Sequence, residues 1–208
     1  DFNPATYNAS TSQTAWTSAT GEVWTISTGT ATTGYKGVLV DRTIVQLDKV
    51  DDVLLSSNSF SFNSDASIFI VSRQFINSVF NVIASYGTSG SNYASWYNES
   101  ADRNFVDYNG ATAKSKSFIG QGVLLALNSY HTLSNVFTQY KNNVSQGSSS
   151  SAAVPNITAS PINLGKLVGV SSYGNINLNT FIALPANSDA SQITAMYNLI
   201  RSLNNNAF

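Results

Sequence analysis

The carboxylates are the first residues to weigh for chemistry, because cleaving a glycosidic bond takes two of them held roughly 5–9.5 Å apart. One protonates the leaving oxygen, and the other attacks the sugar carbon or activates a water. The sequence holds two glutamates, Glu22 and Glu99, and neither has an acid two or four residues away, the spacings that share one face of a strand. Glu99 and Asp102 are three apart, off-phase for one face. His131 is the only histidine, so a multi-histidine metal site is impossible, and a serine nucleophile would have to use it as base. No G-x-S-x-G elbow presents such a serine, and neither G-x-x-x-x-G-K-S/T nor G-x-G-x-x-G is present to cradle phosphates. His131 reads instead as a packed or capping residue at the start of a strand. No catalytic residue is expected, and the chain reads as a non-enzyme.

Binding chemistry is better provided for. A sugar is held by an aromatic face against its C–H groups and by short amides and hydroxyls that bond its ring hydroxyls. Residues 86–109 are dense in both types, and Tyr93, Trp96, Tyr97, Asn98, Tyr108 and Asn109 are the candidate glycan-binding residues. On a strand, Tyr93 and Tyr97 share one face while Trp96 takes the other, so one set faces the core and the other solvent. Core packing competes for each of these aromatics. Trp16 and Trp24 are assigned to the core.

Composition narrows the partners. The 208 residues carry ten Lys and Arg against eleven Asp and Glu, dispersed along the chain, so no basic track exists for a phosphate backbone and nucleic acid is excluded as a partner. No apolar run approaches the roughly 18–20 residues that would cross a bilayer, so membrane insertion is not expected. Cysteine is absent, which removes disulfides, thiolate nucleophiles and cysteine metal sites. Polarity rests on Ser, Thr and Asn, as in β-rich extracellular and virion-surface modules. N-x-S/T triplets fall at Asn8, Asn98, Asn143 and Asn156, open to glycosylation in a suitable host. The chain opens at Asp1 without a leader, which reads as a processed end or the edge of a longer protein.

The elements that must position these residues are short alternating segments separated by turn chemistry. Strands are expected at residues 38–40, 43–47, 79–85, 94–98, 104–108, 122–128, 131–140, 162–170 and 176–184. Residues 67–71 (Ser-Ile-Phe-Ile-Val) are continuously apolar, as in a strand buried on both faces. Residues 141–143 read as a hairpin tip, residues 107–110 as a turn, and the serine-rich residues 147–153 as an exposed loop. The period then changes. Asp189 is placed to cap a helix whose stripe is Ile193, Met196, Tyr197, Ile200 and Leu203, ending at residues 204–206. So short a helix must dock on the sheets. The fold class is all-β, a two-sheet antiparallel sandwich with one short C-terminal helix, over residues 1–208 as one domain.

Several segments, in order, resemble the concanavalin A-like lectin/glucanase superfamily, specifically the laminin-G-like (LamG/pentraxin-type) domains of phage structural and bacterial surface proteins. Asp1-Phe2-Asn3-Pro4-Ala5 looks like their opening. Residues 45–55 are similar to "F-D-G-x-D-D-Y-L", with Lys49 in place of Gly, and residues 67–73 to "F-T-I-F-x-V-x-R". Residues 131–148 resemble the unit carrying "Y-V-N-G", here Tyr140-Lys141-Asn142-Asn143, and residues 162–169 resemble "I-x-I-G". Residues 175–203 resemble the terminal strand, the "L-S-D" turn (Asn187-Ser188-Asp189) and the closing helix. The resemblance implies a jelly-roll sandwich. The family's enzymes use an E-x-D-x-E strand, which this chain lacks, so a glycoside hydrolase is the least favoured reading. The favoured one is a non-catalytic virion surface module (capsid, fibre or tail) acting in assembly, host-glycan recognition or both. The alternative is a carbohydrate-binding or adhesion domain of a secreted bacterial surface protein. Expected partners are a glycan or cell-surface receptor, other virion or surface proteins and further copies of the chain, at an extracellular or virion-surface location. No cofactor is expected beyond calcium, for which Asp51 and Asp52 are the candidates; the pair reads first as a turn whose side chains bond nearby backbone donors.

Overall fold

A computed structural model describes residues 15–17, 21–26, 35–39, 42–48, 53–62, 66–74, 81–88, 92–100, 103–109, 113–115, 118–119, 126–133, 136–150, 157–169, 171–184 and 189–204. In chain order the strands are β1 (Ala15–Thr17), β2 (Val23–Ile26), β3 (Tyr35–Leu39), β4 (Arg42–Asp48), β5 (Leu54–Ser56), β6 (Phe60–Phe62), β7 (Ala66–Gln74), β8 (Asn81–Thr88) and β9 (Asn92–Ser100). They continue as β10 (Arg103–Asn109), β11 (Ala113–Ser115), β12 (Phe118–Ile119), β13 (Ala126–Leu133), β14 (Val136–Lys141), β15 (Val144–Ser150), β16 (Ile157–Ser160), β17 (Ile162–Leu164) and β18 (Asn175–Leu184), followed by helix α1 (Ala190–Leu203). One sheet runs β1-β2-β5-β17-β8-β9-β10-β11, with β12 also on β10; the other runs β15-β14-β13-β7-β18-β4-β3, and β6 pairs with β16. The pairings are antiparallel, and the two sheets with the closing helix make the jelly-roll sandwich that the sequence implies.

Strand β7 explains why residues 67–71 are apolar without alternation. Ile68 and Ile70 join Trp24, Leu54, Ile83, Tyr130, Ile162 and Leu178 between the sheets. Phe69 and Val71 point the other way, against Leu127 and Ile200, with Met196 and Tyr197 of α1 beside them. One face is closed by the second sheet and the other by the helix. Each such side chain contributes about 1.5–3 kcal/mol on burial, so β7 is the strand that ties the three layers together. Trp24, expected in the core, is there at 7% exposure.

Helix α1 starts as expected. Asp189 Oδ1 accepts from the Gln192 N–H at 2.8 Å, and Gln192 Oε1 accepts from the Asp189 N–H at 2.9 Å, a reciprocal capping box. The expected buried stripe needs one correction, because Leu203 is 45% exposed and Leu199, one turn earlier, 52%. Ile193 and Ile200 define the buried line. At about 100° per residue Leu203 lies roughly 60° away from Ile200, on the solvent side.

Four further expectations fail for identifiable reasons. The alternating run 131–140 is not one strand: β13 runs through His131 to Leu133, and the chain reverses so that Leu133 pairs with Val136. The antiparallel register shifts the parity, so His131 shares a face with Thr138 and Tyr140, and Tyr130 with Gln139. The serine-rich residues 147–150 are not a loop but part of β15, paired with β14 around a bulge where Gly147 takes φ 106°. Residues 107–109 belong to β10 rather than to a turn. The expected strand 162–170 stops at Leu164. The hairpin tip at residues 141–143 is borne out: Asn142 (φ 48°) and Asn143 (φ 64°) are both left-handed between paired Lys141 and Val144. Asn142 also bonds β13, donating to Leu127 O at 2.9 Å and accepting from Leu127 N–H at 3.0 Å through its side chain.

Candidate functional site

The six candidate residues lie on the paired strands β9 and β10. Tyr93 opposes Asn109, Ala94 opposes Tyr108, Trp96 opposes Val106, Tyr97 opposes Phe105 and Asn98 opposes Asn104. Opposed residues share a face and alternate residues swap it, so Tyr93, Tyr97 and Asn109 occupy one phase of the sheet. Trp96, Asn98 and Tyr108 occupy the other. The neighbouring strand identifies the phases. Ala84 opposes Trp96 and Tyr86 opposes Ala94, and both Ala84 and Tyr86 belong to the core between the sheets. Ser85 opposes Ser95, in phase with Tyr93 and Tyr97, on the side away from that core.

Residues 165–169 and 171–174 form the arms of a hairpin that lies over that outer side. After β17 the chain turns at Gly165, whose φ of 84° suits a residue without a side chain. Gly165 N–H bonds Ile83 O at 2.9 Å, and the two arms are tied by Gly174 N–H to Gly165 O at 2.7 Å and Leu167 N–H to Ser172 O at 3.0 Å. Ser85 Oγ donates to Lys166 O at 2.6 Å and accepts from Val168 N–H at 3.0 Å, so one buried hydroxyl satisfies two backbone groups of the hairpin. Gly174 closes the clamp, since a Cβ there would overlap the Val82 carbonyl oxygen. On the hairpin, Lys166 and Tyr173 form a bridge, and Lys166 Nζ sits 5.4 Å from the Tyr173 ring centroid. Both are partly exposed.

Sequence reasoning missed Ser85, Lys166 and Tyr173. The signal was present as the glycines at 165, 169 and 174, which bracket and tip a hairpin where an uninterrupted strand was expected.

The groups able to do acid–base chemistry are placed for other work. Glu22 is 8% exposed, and Oε1 accepts from Ser57 Oγ at 3.1 Å and Asn58 N–H at 2.8 Å while Oε2 accepts from Asn58 Nδ2. It fastens the turn after β5. Asp107 opposes Ser95, and Glu99 lies four residues further along β9, about 13 Å of strand. His131 is 3% exposed, with Nδ1 2.9 Å from Ser67 Oγ and the rings of Phe69 and Tyr140 edge-on at 5.3 and 5.6 Å. Burial lowers its pKa to about 4, so the ring is neutral at physiological pH. This is the packed residue the sequence suggested, although inside β13 and not at its start. Asp51 and Asp52 lie outside the described residues, and among the described residues no group of three or more His, Asp or Glu is placed to hold a metal. No helix among them is long and apolar enough to cross a membrane.

No protein-family model matches the sequence, and no curated protein matches it. Solved structures do share the fold. The binding domain of botulinum neurotoxin serotype G superposes with a TM-score of 0.69 at 13% identity, over 90% of this chain and 49% of that one. A structure of botulinum neurotoxin type C gives 0.62 at 12% identity, over 80% and 44%. The NanB sialidase from Streptococcus pneumoniae gives 0.55 at 10% identity, over 64% and 24%. The chain therefore spans about half or less of these longer chains. At such identities the likeness is one of fold.

Proposed function

We propose that the chain is a non-catalytic recognition module that binds carbohydrate on the outer face of β8, β9 and β10. The observation that carries this reading is the β9–β10 register, with Tyr93 opposite Asn109 and Tyr97 one step along in the same phase. Aromatic and amide residue types thus adjoin on a rigid sheet, next to the clamped Lys166–Tyr173 hairpin. The fold supports the reading, because it is shared with toxin binding domains, and botulinum neurotoxin type C depends on interaction with two ganglioside molecules to get into cells. Hydrolysis is disfavoured: both oxygens of Glu22 are occupied by its turn, and Asp107 and Glu99 are spaced too widely along the strands for the roughly 5–9.5 Å that the reaction needs.

In this reading the module is of the laminin-G-like kind and works outside the cell, on a virion or on a secreted bacterial surface protein. The weakly charged, Ser-, Thr- and Asn-rich composition supports such a placement. A glycan array read at millimolar sensitivity, followed by titration of the best ligand, tests the function. Specific binding that weakens about tenfold or more in Tyr97→Ala is expected, as for loss of a stacking aromatic. An array with no binding at all sinks the reading. The virion placement fails if particles purified from the source lack this chain.

A further inference from the structure

The hairpin at residues 165–174 holds a charge that the fold does not use. Lys166 Nζ rests over the Tyr173 ring, and no carboxylate pairs with it among the described residues. An aromatic face attracts an ammonium without neutralising it. Lys166 therefore has N–H donors left for a ligand, in a position that the ring holds ready. The rest of the hairpin is rigid for its size: Gly165 and Gly174 are tied to each other, Gly165 to Ile83, and both Lys166 and Val168 backbones to Ser85. With ten cations spread over 208 residues there is no broad positive field, so an anion recognised here is chosen by this local pair and not by bulk charge.

We propose that Lys166 and Tyr173 form a subsite for an acidic sugar, Lys166 pairing with its carboxylate or sulfate and Tyr173 contacting the adjoining sugar ring. This rests on the carbohydrate reading of the neighbouring β8–β9 face and narrows it to an anionic residue in the ligand. A neutral glycan would bind the sheet face without using Lys166.

The test titrates the intact chain with two acidic oligosaccharides, one uronate-containing and one sulfated, each beside its carboxyl-reduced or desulfated counterpart. At least one acidic form is expected to bind about tenfold or more tightly than its neutral counterpart, as one charge-assisted hydrogen bond allows. The arm that shows the preference identifies the anion. Lys166→Gln should abolish the preference and leave neutral binding and the melting temperature unchanged, while Lys166→Arg should restore it. Equal binding of acidic and neutral forms, or a preference that survives Lys166→Gln, overturns the subsite and leaves carbohydrate recognition standing. Binding of none of the four oligosaccharides, together with an empty glycan array, overturns both.

Discussion

His131 and Ser67 face each other directly across β13 and β7, with Nδ1 and Oγ 2.9 Å apart, the one hydrogen bond the imidazole makes among the described residues. Nε2 has no partner among the described residues, in a site walled by Phe69 and Tyr140. Protonation would put a charge there, which is why burial holds the pKa at about 4 against 6.5 for a free histidine. The folded value lies below the unfolded one, so the unfolded chain takes up a proton first as pH falls. The His131 contribution is fully present above about pH 6.5 and is lost as pH falls from there to about 4. Urea unfolding at pH 7 and pH 4.5 should show a loss of about 2 kcal/mol, at roughly 1.4 kcal/mol per pH unit over the steep part of the window. His131→Asn, which keeps a hydrogen-bonding group and cannot titrate, should flatten that slope; an unchanged slope would assign it to other groups.

Gln139 offers a gain in stability. It is fully buried between the sheets, opposite Tyr130 on β13 and Gly147 on β15, and neither Oε1 nor Nε2 has a hydrogen-bond partner among the described residues. An unmet buried amide costs about 1–3 kcal/mol. Gln139→Met fills nearly the same volume without that cost and should raise the urea midpoint by a corresponding amount. Gln139→Glu should do the reverse by burying a charge. A Met variant less stable than the parent would contradict the account.

The sandwich was legible wherever one rule governed a segment. Residues 67–71 announce a doubly buried strand because both faces of β7 are closed, and Asp189 with Gln192 announces the helix because a capping box is local chemistry. It failed where tertiary pairing overrode local pattern. Nothing in Gly-Ser-Ser-Ser marks β15 as a strand; the open edge of β14 makes it one. The alternation of residues 131–140 does not reveal that β13 and β14 pair with each other, because the antiparallel register keeps alternation within each strand and changes only which set faces inward. For the proposed face the sequence offered only the residue types of Tyr93, Tyr97 and Asn109; their shared phase comes from the β9–β10 register. Lys166 and Tyr173 were hidden because only the fold lays residues 165–174 over β8.

Asp189 provides a second pH-sensitive contact, separable from the first. The Ser191 hydroxyl, and after it the Gln192 N–H, bond its carboxylate and hold its pKa below the ordinary 3.8. Its contribution is therefore present above pH 3.8 and is lost only as pH falls through the lower folded value, beneath the window assigned to His131. Asp189→Ala should lower the melting temperature at pH 7 by about 2–4 °C. Asp189→Asn should recover most of that loss and make it insensitive to acid, which scanning calorimetry at pH 7 and pH 3 would show.

Two glycines separate the effects of space and of backbone conformation. Gly21 has φ 84° and nothing within reach of an added Cβ, so Gly21→Ala meets only the left-handed penalty of about 1–2 kcal/mol. At Gly174 the added Cβ would overlap the Val82 carbonyl oxygen, which belongs to β8 and cannot move without disturbing the sheet. Gly174→Ala must therefore lift the hairpin, at the roughly 1–3 kcal/mol or more of overpacking. The consequence for binding differs as well. Gly21 is remote in sequence from the candidate face, so its variant should lose stability and keep ligand affinity. Gly174 adjoins Tyr173 and bonds Gly165, so its variant should lose both stability and the preference for an acidic ligand, and acidic-ligand binding measured well below the melting temperature should fall as in Lys166→Gln. Equal affinities in the two alanine variants would show that the clamp fixes the fold and has no part in recognition.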